Sequence, residues 1–300
     1  MTTLNLKEPI PVIEQVRRLI KHKMDITDID YAKQILSEVN YYRFTGYAYQ
    51  FRDKHNPDDY LPRTKFNSIL RLYEFDGELR CILKSYLDLI ELYMRSQIAH
   101  GFAMTKCLNP PHTQHYDSTN FYNKISHAGI FSSLKREKLN SRDSLFVIHH
   151  DKKYKGKMPL WVIVELLSFT NLSKLYSAMY YSEQDLIAVN IGITKETLRN
   201  HLHCLANLRN KVAHAGRLYN VSYNPPVMLG RTYLKQNPDI NSDTLFAYLI
   251  VLMRRLPRKA DKAKFAKEIK RVMCKYRGYV QLPILGFPVD YKKRLGKEVK

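Results

Sequence analysis

The sequence predicts an all-α protein. Apolar residues recur at helical spacing over stretches far longer than a strand, and no period-2 stretch is long enough for a confident sheet. Capping residues, prolines and glycines punctuate the periodic segments at the places where helices start and stop.

Residues 1–60 read as an N-terminal helical module. Pro9 and Pro11 precede an amphipathic run of Val12, Ile13, Val16, Leu19 and Ile20. Asp28 or Asp30 is placed to cap a second helix through Ala32, Ile35 and Leu36. The stretch from Asn40 to Tyr47 carries four aromatics with Arg43 among them. That mixture suits either RNA contact or packing on the main body, and packing is the preferred reading.

Residues 61–225 form the expected core. A long helix is predicted from about Lys65 to Ala103, with Ile69, Leu72, Leu79, Leu83, Leu87, Ile90, Met94 and Ile98 on its apolar stripe and Gly77 as a break or bend. Within it, Arg95 and His100 make an R-x4-H pattern, and Glu91 stands at i,i+4 from Arg95, a favourable helical pair. Residues 105–125 read as a loop and 126–158 as short helical runs. Lys152, Lys153, Lys155 and Lys157 follow as a basic loop around Gly156, by default solvated but suited to a phosphate backbone. Pro159 opens a helix containing Trp161 and Glu165. A short helix at 185–189 leads into a longer one capped by Thr194, with Leu198, Leu202, Leu205, Leu208 and Val212 as one buried stripe and Gly216 as its stop.

Residues 226–300 read as a C-terminal helical extension. It holds an apolar helix over 245–256 and a second over 260–276 with a lysine-rich face, and ends in a loop-like basic tail from 279.

The composition narrows the partners. A formal net charge of +21 across 300 residues implies strong self-repulsion and points to a polyanion: RNA, DNA or an acidic membrane. The 22 tyrosines include candidate stacking surfaces for unpaired bases, although most should be core. Four widely spaced cysteines without a C-x-x-C fit reduced thiols. His201, His203 and Cys204 are close in sequence, but no second cluster completes a coordination shell, so no metal is expected. No cofactor is expected either, because no phosphate loop, dinucleotide fingerprint or serine elbow is present. The longest apolar run, Leu245 to Met253, is too short for a bilayer, and the N-terminus lacks a signal-like apolar core. The chain therefore reads as soluble and cytoplasmic.

The chemistry concentrates in Arg209, Asn210 and His214. Arg209 offers a planar, permanently charged fork for phosphate oxygens, and His214 can move a proton near neutral pH. Asn210 is four residues from His214 and shares its helix face. In RNA the 2′-hydroxyl is a built-in nucleophile, so proton transfer and phosphate charge stabilisation suffice without a metal. An ordinary helix end, with these groups capping carbonyls or facing water, is the bland reading of the same residues.

Arg209-Asn210-x-x-x-His214 resembles the R-x4-6-H signature of HEPN-superfamily ribonucleases, and the trailing Arg217-Leu218-Tyr219-Asn220 resembles the Abi-like (abortive infection, AbiD/AbiF) branch. Similar elements run through most of the chain. They are Asn40 to Tyr47, Tyr73-Glu74-Phe75-Asp76-Gly77-Glu78-Leu79-Arg80, Pro159-Leu160-Trp161 with Glu165 and Ser168-Phe169, and Leu285-Gly286-Phe287-Pro288. The resemblance implies a HEPN-like helical bundle, prokaryotic phage defence, and metal-independent endoribonuclease chemistry or RNA binding derived from it. It implies a small structured non-coding RNA as partner. It also implies a composite site, formed by a homodimer or by Arg95 and His100 as a second half. The alternative function is a non-catalytic module that holds a structured RNA. Arg43 and Arg217 join the four lysines as candidate RNA contacts.

Overall fold

The computed structural model describes residues 8–299; the first seven residues and Lys300, at the ends of the two outer segments, lie outside the described residues. All regular elements among the described residues are helical, with only two isolated β-bridges, Asp25 to Lys65 and Arg52 to Tyr60. The fold is all-α, as the periodicity predicts.

The first helices are α1 (Val12–Lys21), α2 (Ile29–Glu38) and α3 (Tyr41–Ala48). Asp28 caps α2 by accepting from the Tyr31 N–H at 2.9 Å, and the Asn40 side chain caps α3 by accepting from Tyr42 and Arg43. Next comes α4 (Phe66–Lys106), 41 residues long and the axis of the molecule. It runs unbroken through Gly77, contrary to the expected break. One glycine inside a helix costs about 1 kcal/mol, and burial of Phe75, Asp76 and Leu79 around it outweighs that.

The core continues with α5 (Lys124–Asn140), α6 (Leu145–Tyr154), α7 (Leu160–Leu166), α8 (Phe169–Ala178), α9 (Tyr181–Asn190) and α10 (Lys195–Ala213). The stretch expected as short runs therefore contains a 17-residue helix, α5, started by the Asn123 side chain on the Ser126 N–H. The C-terminal segment holds α11 (Arg231–Gln236), α12 (Leu245–Arg255), α13 (Lys259–Lys275) and α14 (Tyr291–Lys297). The tail is not loop-like. Tyr291 and Leu295 bury one side of α14, and Arg294 ties it back to Asp239 at 2.8 Å.

Helices α3, α7, α9, α10, α12 and α13 all pack on α4. Helix α12 is buried along almost its whole length, because α4, α10 and α13 surround it. Contacts from α4 to α10 pair rising numbers on one helix with falling numbers on the other. Arg80 Nη1 lies 3.5 Å from the Gly216 carbonyl and Arg209 Nε lies 3.1 Å from Glu91, so the two helices are antiparallel.

Asp76 on α4 gathers three distant segments. Its carboxylate has no exposed surface, yet it accepts from the Tyr47 hydroxyl (2.7 Å), Arg80 Nη1 (2.6 Å) and the backbone N–H groups of Leu218 and Tyr219 (3.1 and 2.9 Å). Burial pushes this carboxyl above its ordinary value, and the four donors pull it back. Three of the family-like stretches thus meet at one buried group.

Gly286 sits at φ +70°, and a Cβ there would lie 2.3 Å from the Thr244 Cβ. Gly286→Ala should therefore cost about 1–3 kcal/mol, read as a lower melting temperature. An unchanged melt would contradict this close contact. Two buried histidines make a pH-dependent prediction. Burial lowers His115 and His201 from 6.5 to about 4, so both are neutral in the folded protein while the unfolded chain takes up their protons near 6.5. Their contribution is complete above pH 6.5 and is lost as pH falls towards 4. Melting temperature should drop across that window, and a His115→Gln/His201→Gln double variant should lose less on acidification than the wild type.

Candidate functional site

Helix α10 starts where Thr194 accepts from the Thr197 N–H, and its leucine stripe is buried along its length. It ends one residue before the end of the motif, with His214 as C-cap. Ala215 takes the left-handed conformation at φ 52°. Its N–H reaches the Val212 carbonyl at 3.1 Å, and the Gly216 N–H reaches the Lys211 carbonyl at 2.7 Å, which closes a Schellman turn. The residue carrying the positive φ is therefore Ala215 and not Gly216. Gly216 is needed for space, because a Cβ on it would lie 2.9 Å from the Lys211 carbonyl oxygen.

Arg209 and Arg95 meet on one buried carboxylate. Glu91, whose side chain is 6% exposed, accepts from Arg95 Nη2 at 2.7 Å and from Arg209 Nε and Nη2 at 3.1 and 3.4 Å. A carboxylate this deep is stable only when paired, and two guanidinium groups share the role. Their forks are used differently. Arg95 also donates to the Glu165 carbonyl and carboxylate (3.1 and 3.2 Å) and to the Leu167 carbonyl (2.9 Å). Only its Nε lacks a partner, and that atom is buried. Arg95 therefore clamps the end of α7 onto α4.

Arg209 is more open, with 29% of its side chain exposed. Nη1 donates to Asn210 Oδ1 at 3.2 Å, and Asn210 in turn donates to Thr170 Oγ1 at 2.9 Å. Of the five guanidinium N–H groups, two remain uncommitted beside a 290 Å³ concavity lined by Lys84, Asp88, Val212 and Ala213. An anion entering there meets an arginine already oriented by Glu91 and Asn210.

The histidines do not converge. His100 lies exposed in a 440 Å³ concavity with Arg95, Trp161, Met104 and Glu165. His214 is exposed near the opposite half of α4, at the level of Lys84. The two levels are about 24 Å apart by helical rise. The two R-x4-H patterns share their arginine end and diverge at their histidine end. Lys152, Lys153, Lys155 and Lys157 are exposed on the last turn of α6 and the loop after it, with Lys157 four residues ahead of Trp161. Arg43 and Arg217 lie on the His214 side: Arg43 donates to the Ala215 carbonyl, and Arg217 donates to the Gly46 carbonyl.

A second polar groove, 440 Å³, runs between α8 and α10 past Lys174, Arg199, Asn200, His203 and Asn207 to Thr170, where Asn210 begins. His203 faces this groove. Its neighbours turn elsewhere, His201 to the Met228 carbonyl at 2.7 Å and Cys204 towards the Pro225 carbonyl at 3.4 Å. Sequence spacing alone did not reveal Thr170, the groove or the second partner of Glu91. Each depends on which helix faces which, and only the i,i+4 half of the Glu91 arrangement leaves a local signal.

The unequal use of the two forks is testable by melting temperature. Arg95→Ala should destabilise by about 3 kcal/mol, because it leaves a buried carboxylate half-paired and strips donors from the α7 carbonyls. Arg209→Ala should cost less, because Glu91 keeps Arg95. Equal losses, or a larger loss for Arg209→Ala, would overturn the division of roles.

The match to known families covers the same ground. Residues 34–220 match the family model described as Abi-like protein, a span that contains α3, the Asp76 cluster, both R-x4-H patterns and the Schellman turn. No curated protein and no solved structure matches the chain. No described helix is long and apolar enough to cross a membrane. With a family model matching well over half of its length, through every segment that builds the site, the chain belongs to the Abi-like protein family.

Proposed function

We propose that the protein acts in phage defence of the abortive-infection kind by binding RNA, and that it cleaves RNA without a metal at Arg209 and His214. The observation that carries the reading is the presentation of Arg209. A buried carboxylate and Asn210 hold the guanidinium from behind, leaving two N–H groups for a phosphate. The positioned cation costs no reorganisation when charge builds on the phosphorus oxygens. His214 is the proton carrier for the 2′-hydroxyl or the leaving oxygen. Asn210 steadies the arginine, and a small structured non-coding RNA fits the charge of +21 as regulator or substrate.

One feature favours the non-catalytic alternative, a module that holds RNA. Arg209 and His214 are five positions apart, which sets them about 140° apart around the end of α10. Among the described residues no side-chain hydrogen bond or ion pair holds His214. A second copy of the chain facing the first would supply the missing proximity, so the cleaving form is expected to be a homodimer. In this reading Arg95 serves as a clamp and His100 lines the concavity beside it, and neither is needed as a second catalytic half.

Cleavage should persist in EDTA and leave 2′,3′-cyclic phosphate ends. His214→Ala should abolish it with RNA affinity nearly intact, and Arg209→Ala should weaken both. Metal-dependent cleavage that survives His214→Ala would exclude the mechanism. Stoichiometric RNA binding with no cleavage would establish the holding module instead. Binding should also weaken steeply with salt, since each neutralised phosphate releases counterions.

A further inference from the structure

Helix α3 has two faces with opposite fates. Phe44 and Tyr47 are buried against α4, while Tyr42 and Tyr49 are 86% and 73% exposed. Tyr49 is the C-cap of α3 and keeps a helical backbone, so the exposed pair, seven residues apart, stands on one side with about 10 Å of rise between them. On that side Thr45 and Gly46 are the residues between them, so the floor of the gap is low. A Cβ on Gly46 would come within 2.9 Å of Arg217 Nη1.

Three arginines edge this gap. Together with the tyrosines they enclose a concavity of 470 Å³, within the range that accepts a small organic ligand. Arg43 spends one nitrogen on the Ala215 carbonyl, Arg217 one on the Gly46 carbonyl and Arg52 one on the Asp58 carbonyl. Among the described residues none of the three is paired with a carboxylate. Nearby Lys211 is lowered by burial and by the Arg217 charge, another sign of local positive excess. Uncompensated guanidinium groups call for an anion, and exposed phenol rings with no partner call for a flat apolar face. A nucleotide supplies both in one unit.

We propose that this concavity is a nucleotide-binding pocket in which an unstacked base lies against Tyr42 or Tyr49 while its phosphates meet Arg43, Arg52 and Arg217. The ligand is thus a single-stranded RNA segment, since a base inside a duplex has no free face to offer. The pocket adjoins the site through Arg43, which grips the carbonyl of Ala215, the residue after His214. A strand seated here would pass His214 on its way to Arg209. The proposal rests on RNA being the ligand and is independent of whether the RNA is cut.

The test uses the full-length protein and fluorescence anisotropy with a labelled short oligouridine, an abasic strand of equal length and an RNA duplex. Tyr42→Ala/Tyr49→Ala removes only exposed rings, and an unchanged melting temperature verifies its fold. Loss of base stacking should weaken binding of the oligouridine by about tenfold or more. Duplex affinity should stay within about twofold, and wild type should bind the abasic strand as weakly as the variant binds the intact one. Tyr42→Phe/Tyr49→Phe should restore affinity. If wild type binds oligouridine and the alanine variant binds it equally well, the pocket is refuted while the RNA reading stands. If wild type binds no RNA at all, the RNA reading itself fails and this pocket with it.

Discussion

A carboxylate with no access to water must find all its partners inside the protein, and Asp76 finds them in three separate stretches of chain. Tyr47 comes from α3, Arg80 from the next turn of α4, and two backbone N–H groups from the segment that leaves α10. The last contact matters most for the site. It dictates where the chain goes after the Schellman turn, and hence where His214, Ala215 and Arg217 stand relative to α3. The Schellman turn closes α10 by itself, and the Asp76 contact fixes the direction of the chain beyond it.

Glu91 repeats the device four turns along the same helix, with a different outcome. Two arginines share it, one also tied to Glu165 and the Leu167 carbonyl and one left partly open. The same residue pattern, R-x4-H, therefore has two meanings in this chain. At Arg95 it belongs to the packing of α7 on α4. At Arg209 it presents a cation to solvent beside a concavity. Their neighbours make the difference: Arg95 meets the carbonyls at the end of α7, whereas Arg209 meets only Asn210 beyond Glu91.

Much of this was legible in the residues alone. The apolar period marked α4 and α10 to within a few residues, because each buries a stripe longer than local propensity can disguise. Asp28 and Thr194 cap as their side chains require, and Asn40 adds a cap that the aromatic stretch concealed. The pairing of Glu91 with Arg95 was visible because both partners sit on one helix. Its pairing with Arg209 was not, because it spans 118 residues of sequence. Gly77 misled because burial on both sides overrides an isolated glycine. The tail misled because α14 is short and is tied to the body by Arg294, whose partner Asp239 lies 55 residues upstream. The aromatics of α3 were read as packing, which holds for Phe44 and Tyr47. Tyr42 and Tyr49 take the other side of the helix.

The length of α4 acts as a ruler. From Asp76, beneath the Tyr47 hydroxyl, to Met104, beside Trp161, the helix rises about 40 Å. Arg43, Arg52 and Arg217 gather at the first mark, and Lys157 stands four residues before Trp161 at the second. A stacked strand advances about 3.4 Å per nucleotide, so on the order of a dozen nucleotides bridge the two. If RNA binds as proposed, a shorter strand would touch one basic cluster or the other, and only a longer one would report the full charge of the molecule. On the proposed RNA-binding reading, discrimination by length follows from this spacing, without any base being read.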